Sequence, residues 1–255
     1  EFYKSLTYDF EGPLTQIHNK LEGKLDYTSL LFIPRKAPFD MWEPKRKGGV
    51  KLYAKRVFIM EGNEELLPQY LRFIKGVIDT DDLSLNVSRE ILQGSKVVDT
   101  IRKASVKRIL SELDKMSKNK PEDYAIFWKE FGILLKEGAA TDFAHKENLA
   151  KLLRFESSGL DSAKLTGLEG YASRMTGEQK DIIYIFGRNR EAIEAGPYLE
   201  ALTARNLEVL ILTEPVDEYV MQTLGEFDGK KLVSGDSEDL KLEKLDDEPE
   251  GKKLN

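Results

Sequence analysis

Alternating strand-like and helix-like segments in the last third of the chain constrain the fold most. "DIIYIFG" (181–187) and "LEVLILT" (207–213) have the short apolar character of buried strands. The segment between them, "NREAIEAGPYLEALTARN" (189–206), predicts a helix that Gly196-Pro197 disturbs. Strand, helix and strand in this order predict a parallel pair with a right-handed crossover, and hence an α/β layer.

The first third of the chain also contains strand-like segments. "YTSLLFI" (27–33) is closed by a proline, "VKLYAKRVFIM" (50–60) predicts one longer strand, and "KGVIDT" (75–80) predicts a short one. "LLPQYLRF" (66–73) predicts a short helix with its proline near the first turn.

Helical spacing dominates the middle of the chain. Apolar or small residues recur every three or four positions, at Val98, Ile101, Ser105, Ile109, Leu113 and Met116. Asn119 and Pro121 are expected to end that helix. A second helix is predicted to stop at Gly138, and a third is predicted over 141–157.

Together these segments predict an α/β fold in several parts. We expect a larger α-β-α sandwich over 1–105, a helical connector over 106–160 and a smaller α-β-α unit over 161–235. Residues 236–255 are charged and poor in large apolar residues, which predicts a tail or linker. The chain starts without methionine, and we expect it to be a piece of a longer protein.

Composition restricts the class of protein. The net charge of -6 and the pI of about 5.3 argue against a general nucleic-acid binder, which is normally basic. The absence of cysteine excludes disulfides and thiolate metal sites, and suits a reducing compartment. The sequence has no apolar run long enough to cross a bilayer, and we expect a cytoplasmic protein without a membrane partner.

Several catalytic and metal sites find no support in the sequence. His18 and His145 lack partners at metal-ligand spacing, and no G-x-S-x-G elbow accompanies them. "DTDD" (79–82) lacks the spacing of a calcium loop and is interpreted as turn residues. The turn "FGRNREA" (186–192) has neither glycine-rich phosphate sequence, so a nucleotide site there is disfavoured. The same absence argues against an independent small-molecule enzyme that uses the 181–213 α/β unit. No metal is expected.

Arg89 occupies an unfavourable position in the sequence. Ser88 is a good N-cap, which puts Arg89 at the first helical position, where the helix field repels a cation. Gln93 follows four residues later, on the same helix face. Arg89 either pairs with a nearby aspartate or is held out for an anion.

Two aromatic residues pose a choice between core and contact surface. Trp42 lies in a charged, proline-rich loop, where it either folds back onto the sheet or offers an apolar contact to another polypeptide. In the helix predicted over "EPVDEYVMQTLGEFDG" (214–229), Asp217 and Met221 share one face and Tyr219 points away from both. One of these faces is expected to meet solvent or a partner.

The run "LPQYLRFIKGVIDTDDLSLNVSREILQ" (67–93) resembles the signature of the ninety-kilodalton heat-shock chaperones. The resemblance extends in order through "YTSLLFIPRKAPFDMW" (27–42), "LYAKRVFIM" (52–60), "FWKEFG" (127–132) and "EFDGK" (226–230). It spans nearly the whole chain and is greatest to the family's bacterial form. This resemblance implies that the piece corresponds to the family's middle domain.

This resemblance implies a role in ATP hydrolysis. It implies that Arg89 reaches the γ-phosphate of ATP, which with Mg²⁺ is bound by a separate N-terminal domain, and that Gln93 is its polar companion. Residues 79–95 would form the catalytic loop. The fragment alone is expected to be inactive, and the full-length protein is expected to be a homodimer joined by a C-terminal domain.

The resemblance also implies protein partners. It assigns contact with partly folded clients to Trp42 and to Glu218, Tyr219 and Gln222, although bacterial relatives often have Trp and Asn in place of Tyr219 and Gln222. Lys107 and Arg108 are candidates for docking the seventy-kilodalton chaperone, or are ordinary helix surface. The alternative function is a structural scaffold without a role in hydrolysis.

Overall fold

The computed structural model describes most of the chain: residues 1–7, 9, 11–23, 25–39, 41–42, 49–62, 64–85, 92, 94–162, 164–177 and 179–237. It divides into two compact units, Glu1–Gly138 and Ala139–Asn255. Each unit contains a five-stranded sheet with helices, which confirms the predicted α/β class. The three-part division of the folded chain predicted from sequence stays a prediction.

The first unit is built on a mixed sheet. Its described elements are α1 (Phe2–Thr7), β1 (Thr15–Leu21), β2 (Tyr27–Ile33), β3 (Gly49–Ala54), β4 (Val57–Glu61), a 3₁₀ helix (Gln69–Leu71), β5 (Lys75–Thr80), α2 (Lys96–Asn119) and α3 (Pro121–Thr141), the last of which crosses the division. The strand order is β1-β2-β5-β3-β4, with β3 and β5 parallel and the other pairs antiparallel.

Buried aromatic rings join α3 to the segment that leads into β5. The Phe73 ring lies 5.4 Å from that of Phe127 and 4.9 Å from that of Phe131, measured between centroids. All three side chains are fully buried. Burying rings of this size supplies much of the apolar stabilisation of the unit and fixes the helix against the start of β5.

The second unit carries the predicted parallel strands. Its described elements are α4 (Lys146–Leu152), β6 (Glu156–Ser157), α5 (Leu168–Arg174), β7 (Ile182–Phe186), α6 (Arg190–Glu194), α7 (Pro197–Thr203), β8 (Leu210–Leu212), α8 (Pro215–Leu224), β9 (Glu226–Phe227) and β10 (Lys230–Ser234). The strand order is β6-β8-β7-β10-β9, and β7 is parallel to both of its neighbours. The predicted parallel pairing of β7 and β8 is confirmed, and Gly196-Pro197 divides the helical segment between them into α6 and α7 as expected.

Four predicted elements are wrong in detail. The helix predicted over 214–229 ends at Leu224, because Gly225 adopts φ of 65° and the chain continues into the β9–β10 hairpin. Residues 50–60 form the β3–β4 hairpin, because Lys55 and Arg56 adopt φ values of 51° and 66° and reverse the chain. Helix α3 continues past Gly138 to Thr141. The helix predicted over 141–157 is limited to α4, because the chain after Leu153 extends into β6.

Candidate functional site

The segment predicted as a catalytic loop starts from a hydrogen-bonded corner of the sheet. The Thr80 hydroxyl, at the end of β5, donates to the Asp26 carbonyl at 2.8 Å. The Asp82 carboxylate accepts the backbone N–H of Asp26 at 2.6 Å. These bonds join the end of β5 to the residue before β2, so the segment leaves the sheet from a fixed position.

Arg89 and Gln93 lie outside the described residues, but buried leucines fix the chain on both sides of Arg89. Leu83 is 6% exposed and Leu92, three residues after Arg89, is 1% exposed. Gly94 then adopts φ of +88°, in the region that favours glycine. Ser95 follows as N-cap of α2, and its hydroxyl accepts the Val98 N–H at 3.5 Å.

The exposed aspartates around this corner do not assemble a cation site. Asp81 and Asp82 are exposed, and the Asp82 carboxylate is used in the bond to Asp26. Within the described ranges, no group of three or more His, Cys, Asp or Glu side chains could hold a metal ion. Asp81 and Asp82 lie in the bend after β5, as predicted for "DTDD", whereas Asp79 and Thr80 belong to the strand itself.

Trp42 faces outward in the first unit. Its side chain is 56% exposed, whereas Met41 beside it is 1% exposed. The Cζ atom of Arg72 lies 5.7 Å from the centroid of the Trp42 ring, within the range of a cation–π contact. The alternative in which Trp42 folds back as core is therefore wrong, and the ring is supported on one side by a guanidinium.

Helix α8 brings Glu218, Tyr219 and Gln222 together on its solvent face. All three residues are exposed, Tyr219 at 64%, and the Gln222 amide lies 3.5 Å from the Glu218 carboxylate. Asp217 and Met221 are buried on the opposite face, at 1% and 2%. The predicted division of this helix into two faces is confirmed.

The buried position of Asp217 has a local cause. Asp217 and Glu214 form a reciprocal capping box at the start of α8, and the Asp217 carboxylate accepts the Glu214 N–H at 3.2 Å. Pro215 occupies the first turn, where no backbone donor is needed. The sequence therefore sets where this helix begins and which of its faces remains outside.

Lys107 and Arg108 lie on the surface of α2. Lys107 is exposed and Arg108 is partly exposed. One Arg108 guanidinium nitrogen lies 4.0 Å from the Glu112 carboxylate, four residues along the helix. An exposed pair at this distance contributes little to stability, roughly 0–1 kcal/mol. Both cations therefore remain available on the helix surface.

The strand-to-helix turn after β7 uses its polar groups internally. The Asn189 side chain accepts the Ala192 N–H at 2.9 Å and caps α6. The Arg190 guanidinium donates to Glu156 at 2.7 Å, to Glu194 at 2.6 Å and to the Leu160 carbonyl at 3.1 Å. Hydrogen bonding to Glu156, and then to Glu194, raises the pKa of Arg190, and the bonds together fix the side chain within the unit. The turn provides no cradle for phosphate.

A buried polar network joins α5 to β7 and the segment before β8. The Tyr171 hydroxyl accepts the Ile183 N–H at 3.1 Å and the Gln179 amide at 2.7 Å, and donates to the Glu208 carbonyl. Burial raises the pKa of Tyr171 to about 12. The Arg174 guanidinium binds the Glu208 carboxylate at 2.6 and 2.9 Å, and this hydrogen bonding raises the pKa of Arg174. The network stabilises the unit.

An open groove of about 780 Å³ lies in the second unit, beside α4, α5 and the β9–β10 hairpin. Three lysines and four carboxylates line it: Lys146, Lys151, Lys230, Glu147, Glu169, Glu226 and Asp228. Because the two signs are nearly balanced, the groove does not select an anion or a cation.

In the part of the chain that the structure describes, no helix is long and apolar enough to cross a membrane.

Comparison with known proteins identifies the family. A family model described as "Hsp90 protein" matches residues 1–255. The "Chaperone protein HtpG" of Ruthia magnifica subsp. Calyptogena magnifica is 62% identical over 244 residues, which cover 94% of this chain and 40% of that protein.

Two enterobacterial relatives agree. The proteins of the same name from Shigella dysenteriae serotype 1 and Escherichia coli K12 are each 51% identical over 249 residues, covering 97% of this chain and 40% of each relative. The chain thus spans about 40% of the length of the curated relatives it matches. The resemblance found in the sequence is confirmed, and the chain belongs to the Hsp90 family of chaperones.

Proposed function

We propose that the chain is the middle domain of an ATP-dependent chaperone and that Arg89 contacts the γ-phosphate of ATP. The observation that carries the proposal is the place of Arg89 in the family signature, three residues before the buried Leu92. The proposal assigns ATP and Mg²⁺ to an N-terminal domain outside this chain.

Arginine suits this task better than lysine. During phosphoryl transfer, negative charge spreads over the equatorial oxygens of the transferred group, and a planar guanidinium can donate two parallel hydrogen bonds to them. Its cost at a predicted helix start is only about 0.3–1 kcal/mol. Gln93, on the same predicted helix face, would donate or accept one further hydrogen bond at the site.

The deciding experiment is the steady-state ATPase of the full-length protein carrying Arg89→Ala. We expect turnover to fall roughly tenfold or more, towards the 10³–10⁵ range known for arginine fingers, while nucleotide affinity changes little. Arg89→Lys is the matched control, because it keeps the charge and loses the paired donors. Turnover equal to that of the parent would contradict the proposal and favour the structural scaffold.

The second part of the proposal is contact with partly folded client proteins. It is supported by the exposed ring of Trp42 and by the exposed α8 face of Glu218, Tyr219 and Gln222. Exposed aromatic rings suit this role because they bury a large apolar area at little conformational cost. A tyrosine and a glutamine here keep the surface amphipathic.

Binding to an unfolded probe tests this part. Trp42→Ala and Tyr219→Ala should each weaken binding of reduced, carboxymethylated α-lactalbumin, measured by fluorescence titration, without changing basal ATP turnover. Tyr198→Ala is the matched control, because Tyr198 is also exposed, at 38%, but lies on α7. Equal losses in the control and test variants would remove both surfaces from the client site.

The remaining partners follow from the same assignment. We propose that Lys107, which is exposed, and Arg108, which is partly exposed, contribute to docking the seventy-kilodalton chaperone. We also propose that a C-terminal domain joins two full-length chains. Charge reversal at Lys107 should weaken the docking more at low salt than at high salt, because exposed charges are screened. Salt-independent binding would assign Lys107 to ordinary helix surface. A cytoplasmic location stays a prediction.

A further inference from the structure

Acidic residues recur at every seventh position along α3. They are Asp123, Glu130 and Glu137. Seven residues are nearly two full turns, so the three carboxylates lie along one side of the helix. Each of them contacts either the segment that follows β2 or an arginine beside that segment. We call residues 34–39 and 41–42 the aromatic loop, because it carries Phe39 and Trp42.

Glu130 holds the base of the aromatic loop. Its carboxylate accepts the backbone N–H of Ala37 at 2.9 Å. A bond between an ionised carboxylate and an amide is stronger than a neutral one, and here the donor is main chain and cannot rotate away. The residues are far apart in sequence, so this bond fixes the start of the loop to the helix.

Glu137 holds the far end through Arg72. The Arg72 guanidinium donates to both Glu137 carboxylate oxygens, at 2.6 and 3.1 Å, and to the Gln69 carbonyl at 3.1 Å. Its side chain is only 15% exposed. The guanidinium thus has little freedom to move, and its Cζ lies 5.7 Å from the Trp42 ring centroid.

Met41 anchors the loop from inside. It is 1% exposed, and its N–H donates to the Pro38 carbonyl at 3.0 Å, which closes a tight turn. Phe39, in the same turn, is 97% exposed. The loop therefore directs Met41 inward and presents two aromatic rings outward, with Trp42 supported on one side by Arg72.

The three carboxylates do not contribute equally. The Arg35–Asp123 pair is 3.9 Å apart with both side chains about a third exposed, so solvent screens most of its attraction. The Arg72–Glu137 pair is bidentate and shorter, and its guanidinium is only 15% exposed, although the Glu137 side chain is 38% exposed. We infer that Glu130, and Glu137 acting through Arg72, are positioning residues that hold Trp42 and Phe39 as a preformed contact surface for non-native polypeptide.

The inference rests on the proposed client function, and its test separates the two. The indole N–H signals of Trp42 and Trp128 in the ¹⁵N-labelled 255-residue chain are assigned with Trp42→Phe. Glu137→Ala should shift the Trp42 signal and increase its fast motion, measured by relaxation. Arg72→Lys should do so less, because it keeps the charge. Glu122→Ala, which removes an exposed carboxylate from the first turn of the same helix, should change nothing.

The same variants are titrated with reduced, carboxymethylated α-lactalbumin. Loss of a supported cation–π contact predicts binding weaker by about two- to fivefold in Glu137→Ala, and no further loss when Trp42→Ala is already present. An unchanged Trp42 signal in folded Glu137→Ala, or an added loss in the double variant, would overturn the inference. If Glu137→Ala mobilises the Trp42 ring but Trp42→Ala binds the probe as tightly as the parent, the client function is contradicted and the positioning role is kept.

Discussion

Replacing Tyr171 by phenylalanine is expected to destabilise the second unit at neutral pH. The substitution keeps the buried ring and removes one hydroxyl, which accepts the Ile183 N–H and the Gln179 amide and donates to the Glu208 carbonyl. The Ile183 donor is buried and has no route to water. Leaving one or two such groups without partners costs about 1–3 kcal/mol, so we expect a loss near 2 kcal/mol at pH 7.

The same hydroxyl makes the loss dependent on pH. An unfolded tyrosine titrates near 10, whereas burial raises the pKa of Tyr171 to about 12. Between these values the unfolded chain has released the proton and the folded chain retains it, so stability falls as pH rises. The parent should therefore lose up to about 1.4 kcal/mol per pH unit, roughly 2–3 kcal/mol from pH 10 to 12, and the variant should lack this component.

Urea denaturation of parent and variant, followed by far-ultraviolet circular dichroism between pH 7 and 12, measures the difference. The tryptophans, Trp42 and Trp128, both lie in the first unit and do not report directly on the second. The difference in unfolding free energy should stay constant to about pH 10 and then shrink, because other groups titrate alike in both proteins. A difference that stays constant to pH 12 would refute the assigned role of the hydroxyl.

Two further substitutions test packing and ion pairing. Gly138→Ala should lower the free energy of unfolding by about 1 kcal/mol in urea titrations. The added Cβ would lie 2.7 Å from the buried Tyr70 ring, and this overpacking is destabilising. Its cost outweighs the gain of about 1 kcal/mol in helix propensity. Gly132→Ala is the control, because its Cβ meets the partly exposed Trp128 ring, which can move. Equal losses in both variants would contradict the packing argument. Arg190→Lys should lower the free energy of unfolding by about 1–2 kcal/mol, because one ammonium cannot replace the guanidinium donors to Glu156, Glu194 and the Leu160 carbonyl. A melting temperature equal to that of the parent would show that the positive charge alone suffices.

Elements in which apolar residues recur at a regular spacing could be predicted from sequence, because the buried apolar face determines whether the segment forms a helix or a strand. In α2, the six residues that the sequence analysis found every three or four positions between Val98 and Met116 are all buried. The β3–β4 turn could not be predicted this way, since Lys55 and Arg56 are not residues that favour positive φ. Bonds from Lys55 N–H to the Thr80 carbonyl and from Arg56 N–H to the Asp79 carboxylate hold the turn against β5.

Two other errors have different causes. Gly138 was expected to end a helix, but its missing side chain allows α3 to approach the Tyr70 ring, which is a tertiary requirement. The β9–β10 hairpin had a readable signal, since Asp228-Gly229 is a preferred hairpin turn and both residues have positive φ. Its short strands follow α8 so closely that helical spacing hid them.

The candidate contact surfaces could also be predicted only in part from the local sequence. Tyr219 could be placed outside because the positions of Asp217 and Met221 on one helix suffice to define its faces. The support of Trp42 could not be predicted, because Arg72 and Glu137 meet only after β5 and α3 pack together. A local sequence can thus indicate which ring is exposed, whereas the residues that hold the ring come from elsewhere in the fold. The proposed role of Arg89 depends on a nucleotide bound by another domain, so it would have to be found from contacts between domains and not from contacts within this chain.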